Sequence, residues 1–195
     1  MSDGGTVLGA DGRQRCPWGL STPDYVAYHD EEWGRPVHGE GPLFERICLE
    51  AFQSGLSWIT ILRRRESFRA AFAGFDPDKV AMFTDADRVR LLADPGIIRN
   101  RAKVDAAIAN AAAVRALRDG HEGGLEALVW SYAPDPAPRP VPRTTADVPA
   151  TSPESTALAK DLKKRGFRFI GPTTAYALMQ ACGLVNDHLA DCAFR

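Results

Sequence analysis

Apolar positions recur at helical spacing through most of the chain, and no strand-like alternation of useful length appears. LFERICLEAFQSG puts Leu43, Phe44, Ile47, Leu49, Ala51 and Phe52 on a broad apolar face, which Gly55 interrupts. SWITILRRRESFRAAF resumes the pattern, with Ser57 as N-cap and Trp58, Ile61, Leu62, Phe68 and Phe72 apolar. DPDKVAMF opens on an Asp-Pro pair suited to starting a helix. DADRVRLLADPG predicts a short helix stopped by Pro95 and Gly96, and RNRAKVDAAIANAAAVRALRDG a long Ala-rich one ending at Gly120. GGLEALVWSYA adds another short helix. Residues 134–153 hold seven of the chain's 14 prolines and cannot be helical; they read as a loop crossing the surface of one domain. STALAKDLKKRG and TTAYALMQACGL predict two further helices, closed by Gly166 and Gly183 and joined by FRFIGP. The fold class is all-α, with many short helices. Residues 1–15, Gly-rich and polar with nothing to pack, are expected to form a disordered tail, and 16–195 a single domain.

Composition narrows the class without naming it. At 195 residues, 45% hydrophobic and 25% charged, the chain is long enough to bury a core and is neither disordered nor collagen-like. No apolar run approaches a membrane span, and the start lacks the apolar stretch of a signal peptide, so a cytoplasmic protein with no membrane partner is expected. Net charge is −1, yet residues 1–50 carry 4 Lys/Arg against 9 Asp/Glu, leaving 20 against 16 in the remainder. That asymmetry is permissive for a polyanion partner.

Three constellations carry candidate chemistry. Cys16 and His29 lie near one end of the chain, His188 and Cys192 near the other. The H-x3-C pair puts two side chains on one face of a helical turn, and two Cys with two His close a tetrahedral Zn²⁺ shell, which would make the site structural. Four unrelated residues would show the same spacing, because the Cys16/His29 interval matches no strong motif. Cys48 and Cys182 sit among apolar residues and read as core, His38 and His121 as solvent-exposed. Next, KDLKKRGFRFIGPTTAYALM reads as a basic helix, a tight turn and a second helix whose first N–H groups can hold a phosphate; a solvated αα-hairpin would look alike. Arg63, Arg64, Arg65 and Arg69 form a second basic cluster, on what is equally a solvated helix face. Finally, Trp18, Tyr25, Tyr28, Trp33 and Trp58 gather within the first 58 residues around Glu50, an acid in an apolar helix. Aromatic walls with one acid suit a flat cationic ring; an aromatic core with Glu50 at its edge is the alternative.

Taken together, CPWGLSTPDYVAYHDEEWG, LFERICLEAFQSGLSWITILRRRESFRAAFAGFDPDKVA, GIIRNRAKVDAAIANA and LKKRGFRFIGPTTAYALMQACGLVNDH closely resemble the 3-methyladenine DNA glycosylase I family of the helix-hairpin-helix glycosylase superfamily. The likeness runs from about Cys16 to Cys192. It implies a helix-hairpin-helix glycosylase fold with the chain ends joined by structural zinc on Cys16, His29, His188 and Cys192. It also implies a pocket acid at Glu50 and base-stacking aromatics at Trp18, Tyr25, Tyr28 and Trp58. The turn at Gly55 and Leu56 would enter the DNA stack. A phosphate-binding hairpin would comprise Lys164, Arg165, Ile170, Gly171, Thr173 and Thr174.

One departure is chemical. Thr173 stands where a strand-cutting relative has its lysine, and Phe169 where the hairpin has its first glycine. The resemblance therefore implies a monofunctional, monomeric enzyme acting on double-stranded alkylated DNA, with no Schiff-base step. A non-catalytic zinc-clipped DNA-binding module, or a glycosylase for another alkylated base, are the alternatives.

Overall fold

The computed structural model describes residues 4–120, 122–135 and 139–195, in which ten α-helices follow a short β-hairpin. The hairpin pairs β1 (Val7–Leu8) with β2 (Gln14–Arg15). The helices are α1 (Pro23–Glu31), α2 (Glu40–Gln53), α3 (Trp58–Leu62), α4 (Arg65–Ala71), α5 (Pro77–Ala81), α6 (Asp85–Ala93), α7 (Arg101–Gly120), α8 (Gly124–Trp130), α9 (Pro153–Lys164) and α10 (Pro172–Ala181). His121 lies outside the described residues; His38 is exposed, and Cys48 and Cys182 are buried. None of the described helices is long and apolar enough to cross a membrane.

Two elements lie at the centre. The apolar face of α2 buries Leu43, Phe44, Ile47, Leu49 and Phe52, and α7 packs beside it along with α5, α6 and α8. A run of phenyl rings fills the space outside α2: Phe52 lies 4.7 Å from Phe68, and Phe72 stacks on Phe75 at 5.6 Å. α9 and α10 pack on each other at one side. Their N-termini follow local chemistry: Ser152 accepts the Ser155 N–H, and Pro172 occupies the first turn of α10, where no N–H is needed.

The structure departs from the sequence expectation in three places. Residues 4–15 are not a free tail. Arg15 is buried and paired with both Asp11 (2.7 Å) and Asp30 (2.8 Å), while the Ala193 N–H donates to Gln14. The segment is held by ion pairs, which an apolar pattern does not reveal. The helix expected over 57–72 divides at Arg63 and Arg64 into α3 and α4. Helix α1 was not anticipated, because its burial pattern is weak; its signal is local, Thr22 accepting the Tyr25 N–H ahead of Pro23.

The described part of the proline-rich segment is irregular apart from one 3-10 turn, Thr145–Asp147. It is pinned near its middle: Pro142 accepts the Ala190 N–H, and Thr145 donates to Gly4.

Candidate active site and metal cluster

A cavity of about 370 Å³ opens where α1, α2, α3 and α10 meet the proline-rich loop. Its walls are aromatic: Trp18, Tyr25, Tyr28, Trp33 and Trp58. Trp18 meets Tyr25 edge-on at 5.6 Å and Trp33 at 5.0 Å, and Tyr28 lies 5.4 Å from Trp58. The Tyr25 hydroxyl accepts the Ile59 N–H at 2.9 Å, which fixes α3, and with it Trp58, against α1. The indole N–H of Trp58 is buried without a partner among the described residues.

Glu50 projects into this cavity from the buried face of α2, 5% exposed. No described residue donates a hydrogen bond to it. Burial pushes its carboxyl up to about 8, against the opposing charge of Arg46. Arg46 makes no hydrogen bond to it: Nη2 pairs with Glu32 at 2.9 Å, and Nη1 is buried without a partner among the described residues. The site therefore holds a protonated acid at neutral pH that can donate one hydrogen bond, or become an anion if a cation arrives. Tyr28 is buried beside it and is likewise kept neutral by burial.

A stability test follows. The folded chain keeps a Glu50 proton that the unfolded chain releases above its ordinary value of 4.5. That contribution is whole below this value and is lost as pH rises to about 8. Glu50→Gln, which cannot titrate, is expected to gain on the parent in thermal stability between about pH 5 and about pH 8. Parallel pH profiles would show that the acid is not buried as described.

Sequence reasoning missed part of the wall. Gln53, Gln180, Thr145 and Val148 line the cavity, as does Asp187, which is buried and holds Tyr176 (2.7 Å), Gln180 (2.8 Å) and Arg139 (2.6 Å). The last two wall residues of the proline-rich loop carry no sequence signal; Asp187 lies in the quoted VNDH string but one position from the histidine that drew attention.

Behind Trp18 the four metal candidates converge, with ligand atoms within 4.8 Å of one another and all four residues buried. Cys192 Sγ lies 3.4 Å from His188 Nδ1 and 3.6 Å from His29 Nε2, and Cys16 Sγ lies 3.9 Å from His188 Nδ1. Tetrahedral Zn²⁺, with bonds of about 2.3 Å to sulfur and about 2.0–2.1 Å to nitrogen, needs ligand separations of roughly 3.3–3.8 Å. The ring nitrogens facing away are also set. His29 Nδ1 meets the Asp30 carboxylate at 2.7 Å, and His188 Nε2 meets the Trp33 carbonyl at 3.0 Å. Each outer nitrogen must carry the proton to donate, which leaves the inner lone pair free for a metal. Burial lowers the pKa of both rings, His188 to about 4, so both are neutral. These residues fit a closed, structural metal site.

The DNA-contact candidates divide. Gly55 (φ 80) and Leu56, 41% exposed, form an open turn between α2 and α3. Gly171, Thr173 and Lys164 are exposed at the α9–α10 turn, and the first N–H groups of α10 have no partner within the helix. Two of the candidates have other partners. The Ile170 side chain packs into the core, so only its backbone is available, and Arg165 is tied to Asp161 at 3.0 Å. Of the arginine cluster, Arg63 pairs with Asp24, Arg65 with Glu32 and Arg69 with Glu45, so three of the four cations are already matched.

Comparison with known proteins gives the class. The profile of a family described as methyladenine glycosylase matches residues 18–195. The chain is similar to DNA-3-methyladenine glycosylase 1 of Escherichia coli (strain K12), 48% identical over 179 residues that cover 92% of this chain and 95% of that one. It is similar to a crystal structure of 3-methyladenine DNA glycosylase I, with TM-score 0.86 and 47% identity, covering 92% and 98% of the two chains. It also resembles 3-methyladenine DNA glycosylase I from Staphylococcus aureus, solved to explain 3-methyladenine recognition, with TM-score 0.85, 35% identity and 92% and 95% coverage. The helical fold around its aromatic cavity is thus one shared with DNA glycosylases. The chain belongs to the methyladenine glycosylase family.

Proposed function

We propose that this protein is a monofunctional DNA N-glycosylase of base excision repair. It hydrolyses the N-glycosidic bond of 3-methyladenine in alkylated double-stranded DNA and leaves an abasic site. The observation that carries this reading is Glu50: an acid without a hydrogen-bond partner among the described residues, at the floor of an aromatic cavity, in a chain 48% identical to a named DNA-3-methyladenine glycosylase.

3-Methyladenine in DNA is cationic and its glycosidic bond is weak, so the leaving base needs little activation. The lesion also unstacks more readily than a normal pair, which lowers the cost of flipping it out. The α9–α10 turn grips phosphate as a helix-hairpin-helix element, through backbone N–H groups near Gly171, Thr173 and Thr174 and the charge of Lys164. Leu56 takes the space of the extruded base. The aromatic faces of Trp18, Tyr25, Tyr28 and Trp58 hold the base, with a cation–π preference for the charged lesion over adenine. Glu50 hydrogen-bonds the base edge and supplies a counter-charge. Water attacks the sugar. Among the described lining residues there is no lysine, and Thr173 stands on the hairpin; both support a reaction without a Schiff base.

We assign structural Zn²⁺ to Cys16, His29, His188 and Cys192; when bound it cross-links the two chain ends behind Trp18. Residues 16–195 act as one domain, and the working unit is a monomer. We place it in the cytoplasm, with its DNA substrate.

Incubation with methylated DNA and chromatography of the released bases tests the reading. A single 3-methyladenine peak and no strand nicking are expected. No peak from folded protein would overturn the proposal, and nicking would overturn its monofunctional part.

A further inference from the structure

Helix α7 carries two buried polar side chains whose hydrogen bonds go to the two turns assigned to DNA. Lys103, 7% exposed, donates from Nζ to the Phe52 carbonyl (2.8 Å) and the Ser54 carbonyl (2.5 Å). Phe52 is in the last turn of α2, where carbonyls lack a partner within the helix, and a cation there also complements the helix dipole. Asn110 is fully buried, and both ends of its amide are used on one residue: Oδ1 accepts the Arg168 N–H at 2.7 Å and Nδ2 donates to the Arg168 carbonyl at 3.2 Å. The next residue, Phe169, is held at φ 58, a left-handed conformation that a side chain adopts at a cost.

The spacing joins these facts. Lys103 and Asn110 are seven residues apart, two helical turns, so they share one face of α7 at an axial separation of roughly 10.5 Å. Core packing of Phe167 and Ile170 seats the base of the hairpin, but the tips of both turns are open. Leu56 and Phe169 are 41% and 42% exposed, and a Cβ placed on Gly55 or Gly171 would meet nothing within 4 Å. A buried ammonium and a buried amide both lose hydration. Their placement on one face, each serving a different turn, is a costly way to build a core and an economical way to fix a distance.

We propose that α7 is a strut that sets the separation of the stack-entering turn and the phosphate-binding hairpin, with Lys103 and Asn110 as positioning residues for DNA. This rests on the glycosylase reading. Neither side chain lines the base cavity, so the strut governs DNA engagement and not recognition of the free base.

The test compares Lys103→Met and Asn110→Asp with the parent protein in two equilibrium measurements. One is affinity for a duplex containing a tetrahydrofuran abasic analogue, by fluorescence anisotropy at fixed salt. The other is affinity for free 3-methyladenine, by calorimetry. Misplacing a turn by a fraction of its span is expected to weaken duplex binding about tenfold or more, while base affinity stays within about twofold. A merely structural role would move both together or neither, and either result in folded variants overturns the strut. Asn110→Asp keeps volume and acceptor, and decides the matter if Lys103→Met does not fold. A parent protein that releases no 3-methyladenine overturns the glycosylase reading itself; an active parent with unaffected variants overturns the strut alone.

Discussion

Glu50→Gln is expected to keep the fold and lose base release from methylated DNA by roughly 10²-fold or more under single-turnover conditions. The substitution is informative because of the state of the native acid. Burial pushes the Glu50 carboxyl up to about 8, so the free protein at neutral pH already holds a neutral group there. Glutamine reproduces its size, its neutrality and its capacity both to donate and to accept. What glutamine cannot do is ionise. A cationic base in the cavity lowers the cost of the carboxylate, and the anion is then worth far more than it would be in water, because Glu50 is buried and no described residue competes for it. The variant therefore separates two roles. If Glu50 only reads the shape of the base edge, release is nearly unchanged. If it supplies charge as the bond breaks, the rate falls while the pocket still accepts the base. Unchanged release would remove Glu50 from the mechanism and leave the aromatic faces as the source of selectivity.

The legible and illegible parts of this site differ in physical kind. α2 was readable because its apolar face obeys the helical period, and Glu50 stood out only as a charge on that face. The four metal candidates were readable as a possible set from their residue types and from the family resemblance, but not from spacing: His29 and Cys192 are 163 positions apart, and no local rule brings them together. Helix α1 carries Tyr25, Tyr28 and His29 yet escaped the periodicity, since only Tyr28 and His29 on it are buried. Its exposed face carries the polar residues and its inner face faces a cavity, not a core. The same limit hid the hairpin at 4–15, which is held by Arg15 between Asp11 and Asp30. Lys103 and Asn110 looked like ordinary polar positions of an Ala-rich helix until the chain placed turns from elsewhere against them. Phe169 is a useful contrast. It stands where the resembled hairpin has a glycine, and its left-handed φ of 58 is a backbone feature that no pattern in the side chains signals.

Cys192→Ser is expected to lower thermal stability while leaving the fold at the cavity recognisable, and to abolish stoichiometric zinc in the purified protein. The site joins residue 16 to residue 192, and around it the ends of the chain have few apolar contacts: the buried cluster there is Cys16, Leu189 and Cys192, with Trp18, Val148 and Phe194 against it. Metal ligation, as proposed, would take the place of a core at this corner. Without the ion, burial pushes the Cys16 thiol up and keeps both imidazoles neutral, so the four side chains would be left with weak mutual contacts. Losing one ligand at a cost of about 3 kcal/mol lowers Tm by roughly 6–12 °C in a chain of this size. Chelation should reproduce the shift in the parent protein and have no further effect on the variant. The consequence for activity is graded, because Trp18 touches His29 on one side, at 5.1 Å, and walls the cavity on the other. Loosening the cluster frees that indole before it disturbs Glu50 on α2, so base affinity should fall less than stability. Unaltered Tm and zinc content in Cys192→Ser would show that these four residues are packed neighbours and not a metal centre.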